Sequence, residues 1–326
     1  MAKKTFVADL AAGDSIQEIF AVSSLTTARK KDGGEFLKLV LSDRTGNINA
    51  VAWDNVAQIN AAAAAGNFVE ATGLVSEYQK SLQFTVKTMA PADPARLDPT
   101  DFLPVTAKDV NAMFRRLLRI TEELSSADLK ALLNLFWNDD IFVEEQFKKA
   151  PAAKLMHHAY LGGLIEHTLS VVELALLVSR HYGELLDRDL LIAGAMLHDI
   201  GKTREFLYDW AIDYSDEGRL LNHIVCGILM LEERVAQLPL FPGDTALQLK
   251  HLIASHHGNR EFGSPEPPKT LEALILNHID EIDAKTVGIH AFMSEQPPGQ
   301  TWTPYHRPMD RFFYIGRKKK NEPPDV

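Results

Sequence analysis

The sequence predicts a multidomain protein of mixed α and β class, in which a small N-terminal β-barrel precedes an all-α helical bundle. Up to about Met89, apolar and polar residues alternate as they do in β-strands. From about Ala107 to Ala291, apolar residues recur at helical spacing. The intervening segment APADPARLDPTDFLP contains four prolines, which is typical of a stiff domain boundary.

The first 90 residues contain five short strand patterns and one helix pattern. Strands are expected at residues 15–29, 36–42, 47–53, 67–78 and 82–88. The alanine-rich residues 54–65 are expected to form a helix that ends at Gly66. This order of strands and helix is that of an OB-fold, a partly open barrel that often binds single-stranded nucleic acid.

Aromatic and basic side chains are interleaved on these strands. Phe36 and Lys38 share one face of a strand, where a ring can stack on a base while the ammonium group neutralises its phosphate. Trp53 and Tyr78 are further candidates for contacts with bases. The alternative is that these rings fill the barrel, because aromatic residues dominate small cores. Basic residues do not outnumber acidic ones in residues 1–90, so bulk charge does not support binding.

Composition describes an ordinary globular protein, with 46% hydrophobic and 24% charged residues. The net charge of −10 argues against a protein that coats nucleic acid by bulk electrostatics. No apolar run reaches the length of a membrane span, and the N-terminus lacks the apolar core of a signal peptide. The single cysteine, Cys226, argues against a disulfide framework and a thiolate-rich zinc site. We therefore expect a cytoplasmic protein without a membrane partner.

Five successive helix patterns in the second half of the chain each carry a histidine or an acid. The patterns cover residues 155–182, 188–200, 222–237, 244–257 and 270–285, and Gly162-Gly163 offers an interruption within the first of them. They carry, in order, His167, the pair His198-Asp199, His223, the doublet His256-His257, and Asp280. Helical spacing places the first of these histidines on the apolar, inward face of its helix.

A shared metal centre explains these polar residues together. Each has an ordinary explanation: a histidine on an apolar face is more often a hydrogen-bonded core residue, and an aspartate can cap a neighbouring helix. Burying the His198-Asp199 pair is nevertheless costly unless something satisfies both groups. Imidazole and carboxylate ligands without thiolate suit manganese, iron, cobalt, zinc or magnesium. One aspartate can bridge two ions roughly 3.5–4 Å apart, which activate water for attack on phosphate esters.

The histidine, the adjacent His-Asp pair and the distal aspartate resemble the hallmark of the HD-domain metal-dependent phosphohydrolases over residues 155–285. The resemblance implies an HD-domain helical bundle with two divalent ions, Mn²⁺ first, with Co²⁺, Fe²⁺, Mg²⁺ or Zn²⁺ as alternatives. The first ion would be held by His167, His198, Asp199 and Asp280. The second ion would be held by Asp199, His223 and His256, with His257 as the alternative to His256. His278, close to Asp280, departs from the family pattern.

The whole chain resembles the YhaM-type 3′-to-5′ exoribonucleases, which join an N-terminal OB-fold to an HD domain. The resemblance is carried by HHAYLGGLIEHTLSV, HDIGKTREF, ASHHG, DEIDAK and MDRFFYIG. It implies hydrolysis of terminal phosphodiesters in single-stranded RNA to nucleoside 5′-monophosphates, with single-stranded DNA as a second candidate substrate. We expect an OB-fold at residues 1–90, a proline-rich linker at 91–106, the helical HD domain at 107–316 and a basic, proline-containing tail at 317–326.

The resemblance also implies roles near the His-Asp pair. Asp199 is expected to be the catalytic bridge between the two ions. Lys202 follows closely enough to reach a nonbridging phosphate oxygen, the alternative being a surface lysine. Arg204 and Arg260 are further candidates for contacts with the phosphates of the nucleic acid.

Two other functions stay open at this point. A nucleotide phosphohydrolase or cyclic-nucleotide phosphodiesterase would use the same metal centre, but a small nucleotide does not need a strand-binding barrel. A noncatalytic nucleic-acid-binding protein with a structural metal site is the second alternative, and the complete ligand set argues against it. A homo-oligomer is compatible with each of these functions.

Overall fold

The computed structural model describes residues 3–30, 33–65, 68–79, 81–154, 156–209, 211–297 and 299–316. The described residues form two compact units. One comprises those of Met1–Val105 and Asp209–Ala211, and the other those of Thr106–Tyr208 and Ile212–Val326. The tail predicted at 317–326 lies outside the described residues. Among the helices that are described, none has the length and hydropathy to cross a membrane.

The first unit is a closed five-stranded barrel with the strand order β1-β2-β3-β5-β4. The strands are β1 (Ser15–Arg29), β2 (Glu35–Asp43), β3 (Gly46–Ala52), β4 (Phe68–Tyr78) and β5 (Ser81–Pro91), and helix α1 (Val56–Ala65) follows β3 in sequence. Neighbouring strands are antiparallel, except for the parallel pair β3 and β5. The predicted OB-fold barrel is confirmed.

Strand β2 shows how alternation builds this barrel. Leu37, Leu39 and Leu41 are buried in the barrel core, because successive side chains of a strand point to opposite faces. Phe36 and Lys38 therefore share the outer face, where the Lys38 ammonium group lies 5.7 Å from the centroid of the Phe36 ring. The sequence pattern thus predicts the faces of β2 correctly.

The proline-rich segment, for which the sequence allows an extended linker or a wrap-around segment, packs on the barrel. The backbone N–H of Arg44 donates to the carbonyl oxygen of Asp101 over 3.0 Å. The ring of Phe102 meets the ring of Phe68 edge to face, with centroids 4.7 Å apart. The prolines begin short, aspartate-capped 3-10 turns that fold the segment back, so it joins the first unit.

The second unit is a helical bundle with one short two-stranded ribbon. Its helices are α2 (Val110–Glu122), α3 (Ala127–Trp137), α4 (Gly163–Tyr182), α5 (Arg188–Leu197), α6 (Lys202–Glu205), α7 (Asp216–Val235), α8 (Gly243–Ser255) and α9 (Leu271–Ser294). A π-helical segment spans Ile141–Phe147, and the ribbon pairs β6 (Phe206–Leu207) with β7 (Asp213–Tyr214). The predicted succession of a barrel and a helical HD bundle is confirmed.

Two helices begin or bend at residues with a left-handed backbone. Helix α4 begins at Gly163, at the interruption that the sequence allows at Gly162-Gly163, because Gly162 takes a left-handed conformation with φ of 75°. Helix α7 spans Asp216–Val235 in two stretches, the second of which follows residue 222, the predicted start of this helix. Asn222 forms a kink inside it, with φ of 57° and ψ of 169°, and its side-chain oxygen accepts a hydrogen bond from the N–H of Ile224.

A close backbone contact holds α7 against the turn that follows His198 and Asp199. A Cβ atom at Gly201 would lie 1.9 Å from the carbonyl oxygen of His223 and 2.5 Å from the backbone nitrogen of Gly227. Real side chains do not fit at such distances, so only glycine allows α7 to approach here. The contact brings His223 next to the His-Asp pair.

Replacing Gly201 with alanine is expected to lower the free energy of unfolding by about 2–3 kcal/mol, because the added methyl group forces two backbones apart. Urea denaturation of the purified protein measures this change. Gly243→Ala is the matched control: no atom lies within 4 Å of a Cβ there, and the change should stay within about 0.5 kcal/mol. Equal denaturation midpoints for the two variants would contradict the packing argument.

Candidate metal centre

Four helices bring five of the predicted ligands to one buried place. His167 lies in the second turn of α4, and His198 and Asp199 follow the end of α5. His223 follows the kink in α7, and His256 ends α8. All five side chains are buried.

The two carboxylate oxygens of Asp199 face two different pairs of imidazoles. Oδ2 lies 3.4 Å from His167 Nε2 and 3.3 Å from His198 Nε2. Oδ1 lies 3.5 Å from His256 Nε2 and 3.7 Å from His223 Nε2. Asp199 therefore stands between two groups of nitrogen donors, which is the arrangement expected of a bridging carboxylate.

Asp280 and His257 extend these two groups. Asp280 on α9 places its Oδ1 3.1 Å from His167 Nε2 and 3.9 Å from His198 Nε2, on the Oδ2 side of Asp199. His257 offers a ring nitrogen to the other group: its donor atom and those of His223 and His256 all lie within 4.8 Å of one another. The structure brings both members of the histidine doublet to the centre.

Helix-end carbonyls orient two of the histidines. His198 Nδ1 lies 2.9 Å from the carbonyl oxygen of Ala195, and His256 Nδ1 lies 2.7 Å from that of Ile253. A carbonyl oxygen only accepts, so each Nδ1 carries the proton and donates. Each ring thereby satisfies a carbonyl three residues earlier, in the last turn of its helix, where such groups lack partners within the helix.

Buried carboxylates orient the other two histidines. His167 Nδ1 donates to Asp283 Oδ2 over 2.7 Å, and His223 Nδ1 donates to Glu205 Oε1 over 3.0 Å. The His158 ring also donates to Asp283 through Nε2, over 3.0 Å. Such outer carboxylates fix the ring orientation of metal-ligating histidines and raise their basicity.

This arrangement leaves lone pairs that need a cation. With Nδ1 protonated, a neutral imidazole presents a lone pair at Nε2, and all four Nε2 atoms face Asp199. The Nε2 atoms of His167 and His198 are 3.2 Å apart. Within the described residues, Asp199 Oδ1, His223 Nε2 and His256 Nε2 are buried without a hydrogen-bond partner. Unpaired buried acceptors are costly, so the residues fit divalent metal ions well.

The pKa values around the centre show the same preference for a cation. Burial lowers the pKa of His167, but hydrogen bonds to Asp199, Asp280 and Asp283 outweigh it and raise the pKa well above its usual value. Burial raises the pKa of Asp199, but Lys202 and His198 lower it well below its usual range. The centre therefore attracts positive charge, whether a proton or a metal ion.

Two further histidines beside the centre are held neutral. Burial lowers the pKa of His257 to about 2. Burial and the Lys202 ammonium group lower the pKa of His157 to about 3. Neutral imidazole is the form that binds metal ions, so protonation does not stop His257 from serving as a ligand at neutral pH.

A cavity of about 660 Å³ opens beside the centre. On one side it is lined by His157, Lys202, His257 and Asp280. On the other side it is lined by the second half of α9 and by the residues around Arg311. A molecule in this cavity would lie against the edge of the metal centre.

The predicted cations occupy different positions. Lys202 is buried, lines the cavity and places its Nζ 2.6 Å from Asp199 Oδ2, so it is not a surface lysine. Arg204 forms an ion pair with Glu233 over 2.9 Å, and Arg260 forms one with Glu266 over 2.9 Å. Neither arginine is among the residues that line the cavity, and their contacts with phosphates stay a prediction.

Sequence reasoning missed the residues that orient the ligands. Asp283, which the sequence analysis does not single out, is buried and accepts hydrogen bonds from the rings of His158 and His167 and from Ser170. Asp283 lies three residues after Asp280, so the two side chains share one face of α9. This spacing is the sequence signal that could have placed Asp283 near the centre. His278, which departs from the family pattern, is exposed.

The barrel carries its own candidate surface for nucleic acid. The rings of Phe36 and Trp53 stack with centroids 4.5 Å apart and an interplanar angle of 20°. Phe36 is buried in this stack, so it supports Trp53, which is 43% exposed. Lys38 lies beside Phe36, and Tyr78 is exposed at the end of β4. Their contacts with bases stay a prediction.

Comparison with known proteins divides the chain in the same way. An HD domain family matches residues 164–285, and an OB-fold nucleic acid binding domain family matches residues 21–92. Two relatives named 3′-5′ exoribonuclease YhaM cover 93% of this chain and 95% of their own length. The one from Bacillus velezensis is 32% identical, and the one from Bacillus subtilis 31% identical. The chain belongs to the YhaM family.

The HD domain of this YhaM family member contains all the predicted ligands, and an HD domain implies dependence on a divalent metal. The solved HD domain of the phosphodiesterase PgpH from L. monocytogenes is also similar, at 22% identity. It covers 37% of this chain and 66% of its own, with a TM-score of 0.28.

Asp283→Ala is expected to weaken Mn²⁺ binding about 10–100-fold, because His167 loses the acceptor that fixes its ring. Titration calorimetry on metal-stripped protein measures the affinity. Asp283→Asn, which keeps an acceptor oxygen, should retain part of it. Glu281→Ala on the same helix, where the side chain pairs only with exposed Lys285, is the control. Wild-type affinity in Asp283→Ala would show that Asp283 does not position the ligand.

Proposed function

We propose that the chain is a metal-dependent 3′-to-5′ exonuclease that hydrolyses the terminal phosphodiester of single-stranded RNA to nucleoside 5′-monophosphates. Asp199 carries the proposal, because its two oxygens face two separate groups of imidazole nitrogens. The names of the YhaM relatives support RNA as the substrate and the direction of attack. Single-stranded DNA is a second candidate substrate.

The proposed ligands divide between the two oxygens of Asp199. The first ion is assigned to His167, His198, Asp199 and Asp280. The second ion is assigned to Asp199, His223 and His256, with His257 as the alternative or additional ligand. Mn²⁺ is the proposed metal, since imidazole and carboxylate donors both suit it. Such a pair of ions would polarise a phosphoryl oxygen and lower the pKa of water for in-line attack.

Lys202 is the proposed phosphate-binding residue. Its ammonium group balances the charge of Asp199 and also lines the cavity, so it lies where a phosphate would approach. When other positive charge balances Asp199, Lys202 is available to donate to a nonbridging phosphoryl oxygen. His157, neutral at pH 7, can donate a hydrogen bond in the same cavity without adding charge.

The cavity suits one nucleotide at the end of a strand. Its volume of about 660 Å³ lies within the range of small-molecule sites, about 300–1,000 Å³. A duplex does not fit such a space, whereas a single unpaired terminal nucleotide does. This size favours exonucleolytic attack on an unpaired strand end.

RNA labelled at its 5′ end should be shortened stepwise from the 3′ end in the presence of Mn²⁺, and chelator should stop the reaction. Asp199→Ala is expected to lower the rate of RNA hydrolysis at least about 1,000-fold, because the two proposed metal sites would lose the carboxylate that they share. Asp128→Ala, at an exposed position in the first turn of α3, is the control. Hydrolysis of mononucleotides or cyclic nucleotides alone would replace the exonuclease with a nucleotide phosphohydrolase or phosphodiesterase.

The barrel is proposed to bind the RNA strand through the stacked Phe36 and Trp53. Trp53→Leu, which keeps an apolar cover over Phe36, is expected to raise KM for a 20-nucleotide RNA about tenfold without changing kcat. Steady-state kinetics measure both constants. Leu74→Ala, another exposed apolar side chain of the barrel, should leave KM unchanged. An unchanged KM in Trp53→Leu would remove Trp53 from the RNA-binding surface.

A further inference from the structure

A hairpin at residues 301–316 forms part of the cavity wall and has no role in the function proposed above. We call it the C-terminal hairpin. Backbone hydrogen bonds of 2.9 Å join its two arms, from Thr303 N–H to the Phe313 carbonyl and from His306 N–H to the Arg311 carbonyl. Its turn, around Met309, lines the cavity together with Asp280 and Lys202 of the metal centre.

One face of the C-terminal hairpin is attached to the bundle. Thr303 and His306 are buried, and the His306 ring meets Phe292 of α9 edge to face, with centroids 4.6 Å apart. The ring of Phe313 also meets the His306 ring edge to face, with centroids 5.8 Å apart. These contacts hold the hairpin against α9 and fix which of its side chains face outward.

The outward face carries four large aromatic rings. Trp302, Tyr305, Phe312 and Tyr314 are each between 45% and 59% exposed. They form two ring pairs, Trp302 with Tyr314 at 5.1 Å and Tyr305 with Phe312 at 5.2 Å. Leaving this much aromatic surface in water forgoes the stabilisation that burial would bring, and such patches mark binding surfaces.

Charge around the hairpin is opposite in sign to that of the whole chain. Residues 301–320 contain six arginines and lysines and one aspartate, although the net charge of the protein is −10. Within the described part, Arg311 is exposed and lines the cavity together with Lys285. Aromatic rings interleaved with cations are the composition that proteins use to bind single strands without reading their sequence.

We propose that the C-terminal hairpin is a stacking platform for the RNA nucleotides that immediately precede the 3′-terminal one. This proposal rests on the proposed exonuclease function, with the terminal nucleotide in the cavity. Because the hairpin turn forms part of the cavity wall, a strand that leaves the cavity meets the outward rings next. Each ring pair offers a surface for a base, and the exposed Arg307 and Arg311 of the same hairpin would pair with phosphates.

Two substrates separate this role from catalysis. A 10-nucleotide oligouridylate extends beyond the cavity, whereas uridine 5′-(p-nitrophenyl phosphate) presents only the terminal nucleotide with a different leaving group. In Trp302→Ala/Tyr314→Ala, KM for the oligonucleotide is expected to rise at least about tenfold. Hydrolysis of the nitrophenyl ester should stay within twofold of wild type.

Matched variants test whether the rings themselves are responsible. Trp302→Phe/Tyr314→Phe keeps both rings and should restore KM for the oligonucleotide. Tyr182→Ala removes an equally exposed ring at the end of α4, about 22 Å along the helix from His167, and should have no effect. Equal KM values for the double alanine variant and an active wild type would overturn the platform while leaving the proposed function intact. A wild type that hydrolyses neither substrate would overturn both.

Crosslinking on the wild-type protein gives a result that does not depend on how the variants fold. RNA with 4-thiouridine at the second and third positions from the 3′ end is irradiated with the protein in chelator, and the crosslinked peptides are sequenced. Crosslinks within residues 301–316 are expected, and crosslinks found only elsewhere would overturn the proposal. Sedimentation of the double alanine variant tests a different role for the rings. A change in oligomeric state with an unchanged KM would overturn the proposal, because the rings would then form an interface with a second copy of the chain.

Discussion

The burial of the Asp199 carboxylate is the constraint on which the second unit depends. A buried carboxylate is strongly unfavourable unless charge and hydrogen bonds compensate it. Groups from separate elements stabilise the carboxylate. The Lys202 ammonium group lies at one Asp199 oxygen, and imidazoles positioned by α4, α5, α7 and α8 surround both oxygens. The helices must therefore converge at their ends, and the glycine at position 201 is what permits the closest of these approaches.

The same physical device orients His198 and His256. Each follows or ends a helix, where carbonyl groups of the last turn have no partner within the helix, and each donates Nδ1–H back to the carbonyl three residues earlier. One hydrogen bond thus terminates the helix, selects the tautomer and directs Nε2 toward Asp199. His167 and His223 lie elsewhere in their helices, so they require carboxylates from other segments instead.

Features that repeat along the chain can be predicted from the sequence. Alternation along β2 and helical spacing around His167 predict which faces are buried, so the barrel and the bundle follow from them. Such prediction fails where the partner is distant or the backbone departs from regular structure. Glu205 meets His223 directly after the kink of α7 at Asn222, and the pairing of these two side chains is not visible in helical periodicity. Asp283 accepts hydrogen bonds from His158 and His167, which lie over a hundred residues away along the chain.

The distribution of charge explains why stacking matters for the proposed RNA substrate. A chain of net charge −10, whose centre gathers three aspartates, repels a polyanion everywhere except where cations are concentrated. Bound metal ions would make the charge positive at the centre alone. This local positive charge would attract one phosphate, but not the other phosphates of a strand. Contacts with the remaining nucleotides must then come from the uncharged faces of bases. Exposed aromatic rings occur on both units beside a few lysines and arginines, and rings of this kind bind bases without requiring a positive protein.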